Sequence, residues 1–565
     1  MDTISRNLLT VLTWPTVAGA VVAYYVTVAF YRLFLHPLAR FPGPKLAAIS
    51  RWYEGYYDVI KGGKYTPKIA ELHKEYGPIV RISPHELHIM DPAFFDKIYR
   101  MDRRWDKHAW TYDAFGAKSS TVFGLDHRAH KARRCAIAPF FSKTKVATRG
   151  QDLIRRNVDK LSARVLGLAE TGTTFNLGAA ISAFARDVAN EFILGKAYSE
   201  LGLDDFGLGL SVASQGAGVF WRTTKFIPWF GPLIRAIPVS WVMKTADEGT
   251  KSFLRYLQQS EQDVKDTLAA VMSPSADESD AVRNTLIHDI IQSNHLPPAD
   301  KTFPRIREEI ATVTGAGFET TANALRLIIF HVFTDKNVLS RLRTEIASAA
   351  AATAPSPRGI GQIPLSLTTL ERLPYLTAVL TEGMRLSPGI GTRAGRVTDK
   401  DLFYGDQWRI PAHTPIGMTT LLMHTDEKLY PDPMRFDPGR WVVVDDSDSA
   451  STEEAARRLK TPGADKPPFY APFSRGTRMC LGMHLAWAEM YLLVATLVQR
   501  FDFTVEGATA EDFEFEVDNF GIGTKAGCNL FATATVDDIA TTNTYSRVYR
   551  IRLDSVEAPL AASVE

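Results

Sequence analysis

Phe473-Ser474-Arg475-Gly476-Thr477-Arg478-Met479-Cys480-Leu481-Gly482 stands near the C-terminal end of the sequence and runs straight into a strongly apolar, helix-spaced stretch, residues 483–501. A lone cysteine is most often a small buried hydrophobe. Here its setting argues for more. Glycines on both sides let a loop approach a flat surface closely, and a helix starting just past the sulfur brings free N–H groups and partial positive charge toward it. Those features favour the thiolate, the form of cysteine that binds metal. Only three cysteines occur in 565 residues, Cys135, Cys480 and Cys528, which makes a disulfide framework implausible and suits a reducing compartment.

The formal net charge is +2, with 23% charged and 45% hydrophobic residues. No global field points to nucleic acid or to an acidic partner. The N-terminus differs from the rest. Residues 7–31 carry no charge, and 25 helical residues at about 1.5 Å each span a hydrocarbon core of roughly 30 Å. This predicts one transmembrane helix within residues 1–35, with Trp14, Tyr24, Tyr25 and Tyr31 as interfacial anchors. Arg32, His36, Arg40, Lys45 and Arg51 follow it, against Asp2 and Arg6 before it, which places the body in the cytosol by the positive-inside rule. A cleaved signal peptide is the alternative, opposed by the length of the run and the scarcity of cysteine.

His36-Pro37-Leu38-Ala39-Arg40-Phe41-Pro42-Gly43-Pro44 cannot continue a helix, so residues 36–46 are expected to form a stiff elbow. Residues 77–84 read as a short strand and 86–90 as its hairpin partner. Apolar residues recur at three- and four-residue spacing over 306–333 and 370–386, so most of the body is expected to be helical. With no internal repeat, the expectation is a mainly α domain with small β-sheets over residues 47–545 and a tail over 546–565. Residues 348–361 and 445–468 read as surface loops. Residues 207–238, with Phe220, Trp221, Phe226, Trp229 and Phe230, are either core or a rim that dips into a membrane.

The pattern Phe473, Gly476, Arg478, Cys480, Gly482 resembles, at every fixed position, the haem-binding signature of the cytochrome P450 superfamily, and further family signatures follow in family order. The resemblance implies haem b with Cys480 as axial ligand to the iron, and a propionate partner in Arg478. Glu382-Gly383-Met384-Arg385 resembles the family's Glu-x-x-Arg helix and Pro433-Met434-Arg435-Phe436 its meander, implying a buried cluster of Glu382, Arg385 and Arg435. Two glycines in Thr314-Gly315-Ala316-Gly317-Phe318-Glu319-Thr320-Thr321 weaken a helix by about 1 kcal/mol each. The resemblance explains them as room for dioxygen, with Thr320 holding an ordered water and Glu319 relaying protons. Further propionate partners are implied at His130 and Arg134, with Arg133 as the alternative, and at Arg396, with Arg393 close enough to leave the register open. By family topology the substrate meets Phe115, Phe123, Ala316, Ile390, Thr392 and Ile522, each of which suits a core equally well.

The sequence resembles fungal microsomal enzymes of secondary metabolism, of the trichodiene oxygenase type. That likeness implies a monooxygenase of the endoplasmic reticulum membrane that hydroxylates or epoxidises an apolar molecule, terpenoid or polyketide. It would use dioxygen together with NADPH-derived electrons delivered by a separate NADPH-cytochrome P450 reductase, with membrane lipid as the other partner and no nucleic acid. A haem-thiolate isomerase or dehydratase, and a non-enzymatic haem sensor, are the rival readings. Neither needs the Glu319-Thr320 pair.

Overall fold

The computed structural model describes residues 14–273, 280–352, 365–442 and 469–536. The expected loop at 445–468 and the tail at 546–565 lie outside the described residues. The apolar N-terminal run is helical over Trp14–Phe30 and continues as a π-helical turn, Tyr31–Leu35, with no buried residue. Together they form a 22-residue unit long and apolar enough to cross a membrane. Pro37 ends it by holding His36 in extended backbone (φ −65°, ψ 143°). The elbow is then tied down, because Arg81 donates to the Arg32 carbonyl at 2.9 Å and Arg32 to the Ile49 carbonyl at 2.5 Å.

The expected hairpin forms from Ile79–Ser83 and Glu86–Ile89, every residue buried. Three short strands extend it to a five-stranded sheet in the order Ile79–Ser83, Glu86–Ile89, Ile416–Gly417, Arg396–Val397, Asp106–Lys107. In the last pair Lys107 lies directly opposite Arg396. Like charges facing across an antiparallel pair repel, so something must compensate them.

Helices make the body. The central helix, Phe303–Thr334, has 32 residues and is about 48 Å long. Leu177–Leu194 runs against it with every residue but Glu191 buried, as expected of a helix that is apolar nearly all round. Pro374–Leu386 and Met483–Arg500 complete the core. The loop expected over 348–361 does not start at residue 348, because the helix Lys336–Ala352 runs on through the alanines, whose helix propensity outweighs their loop-like monotony; residues 353–361 lie outside the described residues. Residues 207–238 divide. Trp221 is 1% exposed and donates its indole N–H to the Thr111 carbonyl at 2.8 Å, whereas Trp229, beyond the helix Leu208–Phe226, is 65% exposed.

A buried ion network joins these layers. Lys225, in the last turn of Leu208–Phe226, reaches Asp58 at 2.6 Å and Glu54 at 3.0 Å. Glu54 also holds Arg393 at 3.0 Å, and Arg393 pairs with Glu86 of the sheet at 2.7 Å. Burial pushes the Lys225 ammonium down, but Asp58 and Glu54 raise it above its ordinary value. Lys225→Met leaves two buried carboxylates short of a counter-charge and should cost about 3–5 kcal/mol. Urea denaturation monitored by tryptophan fluorescence reads this directly; an unchanged midpoint would mean that the network carries no net stability.

Candidate active site

The loop ahead of Met483–Arg500 is pinned from four sides. The Cys480 N–H donates to the Phe473 carbonyl at 2.9 Å and closes it on itself. Gly476 sits at φ 76°, and a β-carbon there would come within 2.5 Å of the Tyr99 carbonyl carbon, so only glycine fits. Arg478 donates to the carbonyls of Gly124 (2.8 Å) and Leu125 (2.9 Å), and Arg134 to that of Met479 (2.8 Å). Phe473 packs on Trp487 with ring centroids 6.0 Å apart. At Gly482 an added β-carbon would meet no protein atom within 4 Å. Cys480 is exposed by area although atoms crowd densely around its thiol. That crowding pushes the thiol up, while the N–H groups of Gly482 and Met483 and the Arg134 guanidinium pull the other way.

Next to this loop five basic side chains converge: Lys107, His130, Arg134, Arg396 and Arg478. Burial drives the Lys107 ammonium well below its usual range, helped by Arg396, Arg478 and Arg134. His130 is lowered to about 2 by burial and then by Arg478, Lys107, Arg134 and Arg396. Arg478 falls to about 10, again from burial and then Arg396. Among the described residues none of the five is paired with a carboxylate, and Arg478 Nε and His130 Nδ1 are buried without a partner. The two open registers separate cleanly. Arg133 is committed to Asp300 at 3.0 Å and Arg393 to Glu54 and Glu86, which leaves Arg134 and Arg396 beside the loop. Lys107 was missed by sequence reasoning; its signal was a lysine in a strand that faces another cation.

On the central helix Gly315 and Ala316 are exposed between buried Thr314 and buried Phe318. The two glycines have different jobs. Gly317 gives room for Ala189 of the neighbouring helix, 3.1 Å from where a β-carbon would lie, while Gly315 borders open space. The Thr320 hydroxyl donates to the Ala316 carbonyl at 2.7 Å, whereas Glu319 turns to Arg326 at 2.8 Å.

Phe115 and Phe123 stack at 4.2 Å, and Phe520 meets Phe115 edge-on at 4.8 Å. Thr121, two residues before Phe123, donates its N–H and hydroxyl to Glu309 of the central helix at 3.0 and 2.8 Å, which clasps this loop in place. Ile390, Thr392 and Ile522 gather around the hairpin 517–523: Ile390 bridges Gly521, the Thr392 N–H reaches the Phe520 carbonyl at 3.3 Å, and Ile522 donates to the Gly389 carbonyl at 3.2 Å. Thr392 and Ile522 are buried. Phe520 joins the two groups, from a backbone at φ 72° that is unusual for a bulky residue. Nothing in the spacing of the sequence marked it.

The charge cluster beneath the loop requires a correction. Glu382 and Arg385 form two 2.8 Å bonds, but the second arginine is Arg440 (3.3 Å), not Arg435, which offers only its carbonyl to Arg385 at 3.3 Å. Trp441 Nε1 and the Asp437 N–H complete the carboxylate's partners at 2.8 and 2.9 Å. Pro438-Gly439-Arg440-Trp441 repeats the Pro-x-Arg-aromatic pattern five residues on. Pattern alone could not choose between the two; the turn capped by Asp437 does.

Comparison with known proteins agrees. The sequence model of the cytochrome P450 family matches residues 51–527. The N-acetyltryptophan 6-hydroxylase of Emericella nidulans is 34% identical over 520 residues, covering 91% of this chain and 95% of the relative. The tryptophan 6-hydroxylase of Fusarium equiseti is 33% identical over 509 residues (89% and 94%), and the monooxygenase TRI4 of Fusarium sporotrichioides, trichodiene oxygenase, 32% over 504 (88% and 90%). The chain belongs to the cytochrome P450 family. It is a monooxygenase of the fungal secondary-metabolism type, with haem held through a cysteine thiolate, and works with a redox partner, dioxygen and an organic substrate. The residues fit that cofactor: a set of buried and half-buried basic side chains without a carboxylate partner among the described residues suits the two propionates of a haem.

Arg440→Ala should therefore lower haem incorporation severely, since breaking a buried cluster costs about 3–5 kcal/mol, while Arg435→Ala retains most of it. The pyridine haemochrome yield per mole of protein separates the two, and the reverse order would restore Arg435 to the cluster.

Proposed function

We propose that Cys480 would hold the haem iron through its thiolate and that Arg134, Arg396, Arg478 and Lys107, with neutral His130, would hold the propionates. When bound, the haem supplies the activation of dioxygen. Everything else is the work of this chain's side chains. The N–H groups of Gly482 and Met483 and the Arg134 guanidinium stabilise the thiolate. Beside the central helix Thr320 would order water and Glu319 would move protons toward it. A retained acid-alcohol pair speaks for oxygen chemistry over an isomerase or a haem sensor.

On the substrate side the carrying observation is the aromatic set Phe115, Phe123 and Phe520, backed by buried Trp221. Such a wall takes an apolar molecule, terpenoid or polyketide, and its stacking surfaces suit a flat ring best. This favours an indole or other aromatic substrate as the second reading, in keeping with the two tryptophan hydroxylases. Electrons come from NADPH through NADPH-cytochrome P450 reductase. Arg475, a basic residue of the cysteine loop, is paired with Asp96 at 2.5 Å. The reading places the chain in the endoplasmic reticulum membrane with its catalytic domain in the cytosol. Exposed Trp229, Leu233 and Trp241 support this, as does Trp52, itself exposed and packed on Phe226 at 5.5 Å, which joins them to the foot of the anchor.

The reduced carbon monoxide spectrum tests the ligand: a strongly red-shifted Soret band should appear in the wild type and vanish in Cys480→Ser. N-acetyltryptophan and trichodiene, offered with NADPH and reductase, then divide the substrate readings, and conversion of neither, with no spectral shift on adding them, would remove both compounds as guides. Lys107→Met makes a further test. Loss of one buried cation should stabilise the haem-free protein against urea yet speed haem transfer to apomyoglobin; unchanged haem transfer would take Lys107 out of the set.

A further inference from the structure

Glu319 and Thr320 are neighbours in sequence, yet the structure sends them apart. The Thr320 hydroxyl turns back to the Ala316 carbonyl, and Glu319 turns forward along the helix to Arg326, Oε2 to Nη2 at 2.8 Å. Seven residues are close to two turns, so the pair shares a face. Arg326 is 1% exposed, and its guanidinium has three partners: Glu319, the Ser182 hydroxyl at 2.5 Å, and the side-chain carbonyl of Asn323. Asn323 in turn donates to the Ile522 carbonyl at 3.1 Å, on the hairpin 517–523 that carries Phe520. The other side of that hairpin rests on the helix Leu208–Phe226. Arg222 donates to Asn519, and a β-carbon on Gly218 would come within 2.5 Å of the Asn519 side chain. Glu319 Oε1 is buried and has no partner.

We propose that Arg326 is a positioning residue that keeps Glu319 away from Thr320 while the hairpin is seated, and releases it when a molecule lodged against Phe520 shifts the hairpin. Asn323 links the two. If its carbonyl partner moves, Asn323 follows, and Arg326 loses one of the three contacts that fix its guanidinium. Glu319 has little holding it otherwise, since one of its oxygens already lacks a bond. Once loose it takes a proton from water and passes a proton toward Thr320, and the carboxylate is returned unchanged. Occupancy of the substrate side thereby controls proton supply, through a differential contact with two arrangements of one hairpin. This rests on reading Glu319 as the proton relay, and the test below separates the two.

The test needs no substrate. The haem-loaded full-length chain is reconstituted with NADPH-cytochrome P450 reductase, and NADPH and dioxygen consumption are measured together. One NADPH per dioxygen signifies release as hydrogen peroxide, and two signify reduction to water. With Glu319 held, the wild type should lie near one. Arg326→Gln should move the ratio toward two, with a larger slowing in D2O, and adding Glu319→Gln should return it to one. Arg326→Lys, which keeps the charge but not the planar fork, serves if the glutamine variant fails to load haem. Hydrogen exchange gives a readout independent of turnover: Asn323→Ala and the Arg326 variants should speed exchange at Ile522 and its hairpin neighbours. A wild-type ratio and D2O effect in haem-loaded Arg326 variants would end the positioning role and leave the relay standing. A shifted ratio that Glu319→Gln does not reverse would mean that another group carries the proton, and the relay reading would fall with the proposal.

Discussion

Five crowded basic side chains, two buried and three half-buried, none paired with a carboxylate among the described residues, govern the architecture around Cys480. Lys107 and Arg396 come from paired strands, His130 and Arg134 from the helix His127–Ile137, and Arg478 from the loop itself. Each element must dock for the cluster to form, and the cluster is unfavourable until an anion joins it. Cofactor binding and folding are therefore coupled on this side of the molecule, since whatever binds only the folded chain stabilises it by mass action. The neutral carbonyls of Gly124, Leu125 and Met479 hold the guanidinium groups in the meantime, a partial substitute for charge.

The central helix reconciles packing with chemistry at single-residue resolution. Gly317 exists for Ala189, so the helix Leu177–Leu194 can lie close; Gly315, two residues earlier, faces the open side. Thr320 spends its hydroxyl on a carbonyl of its own helix, a back-bond that loosens the regular ladder where room is wanted. The same helix clasps the Phe115–Phe123 loop through Glu309 and the C-terminal hairpin through Asn323. One rigid element thus sets the positions of both aromatic groups.

Lys225 and Arg393 show a second use of buried charge. Their network ties the segment just after the elbow to the sheet and to the helix that leads toward Trp229. Apolar burial would hold these parts together as well, but paired charges also fix their register. The exposed aromatic segment and the apolar N-terminal helix are held in a defined relation to the core.

Periodicity and composition were enough for the mainly helical body, the apolar N-terminal helix and the hairpin near residue 80, because these depend on local spacing and solvent preference. The loop around Cys480 was legible too, since its fixed residues match a known signature within ten positions, although Gly476 and Arg478 meet their partners at distant Tyr99, Gly124 and Leu125. The Glu382 cluster was only half legible. Two Pro-x-Arg-aromatic patterns lie five residues apart, and which arginine turns inward is settled by a turn and by packing against Pro374–Leu386. Lys107, Phe520 and Arg326 were invisible for the same reason. Their meaning lies in partners far away in the chain, brought close only by the fold, and a one-dimensional pattern carries no record of which distant groups will share a buried space.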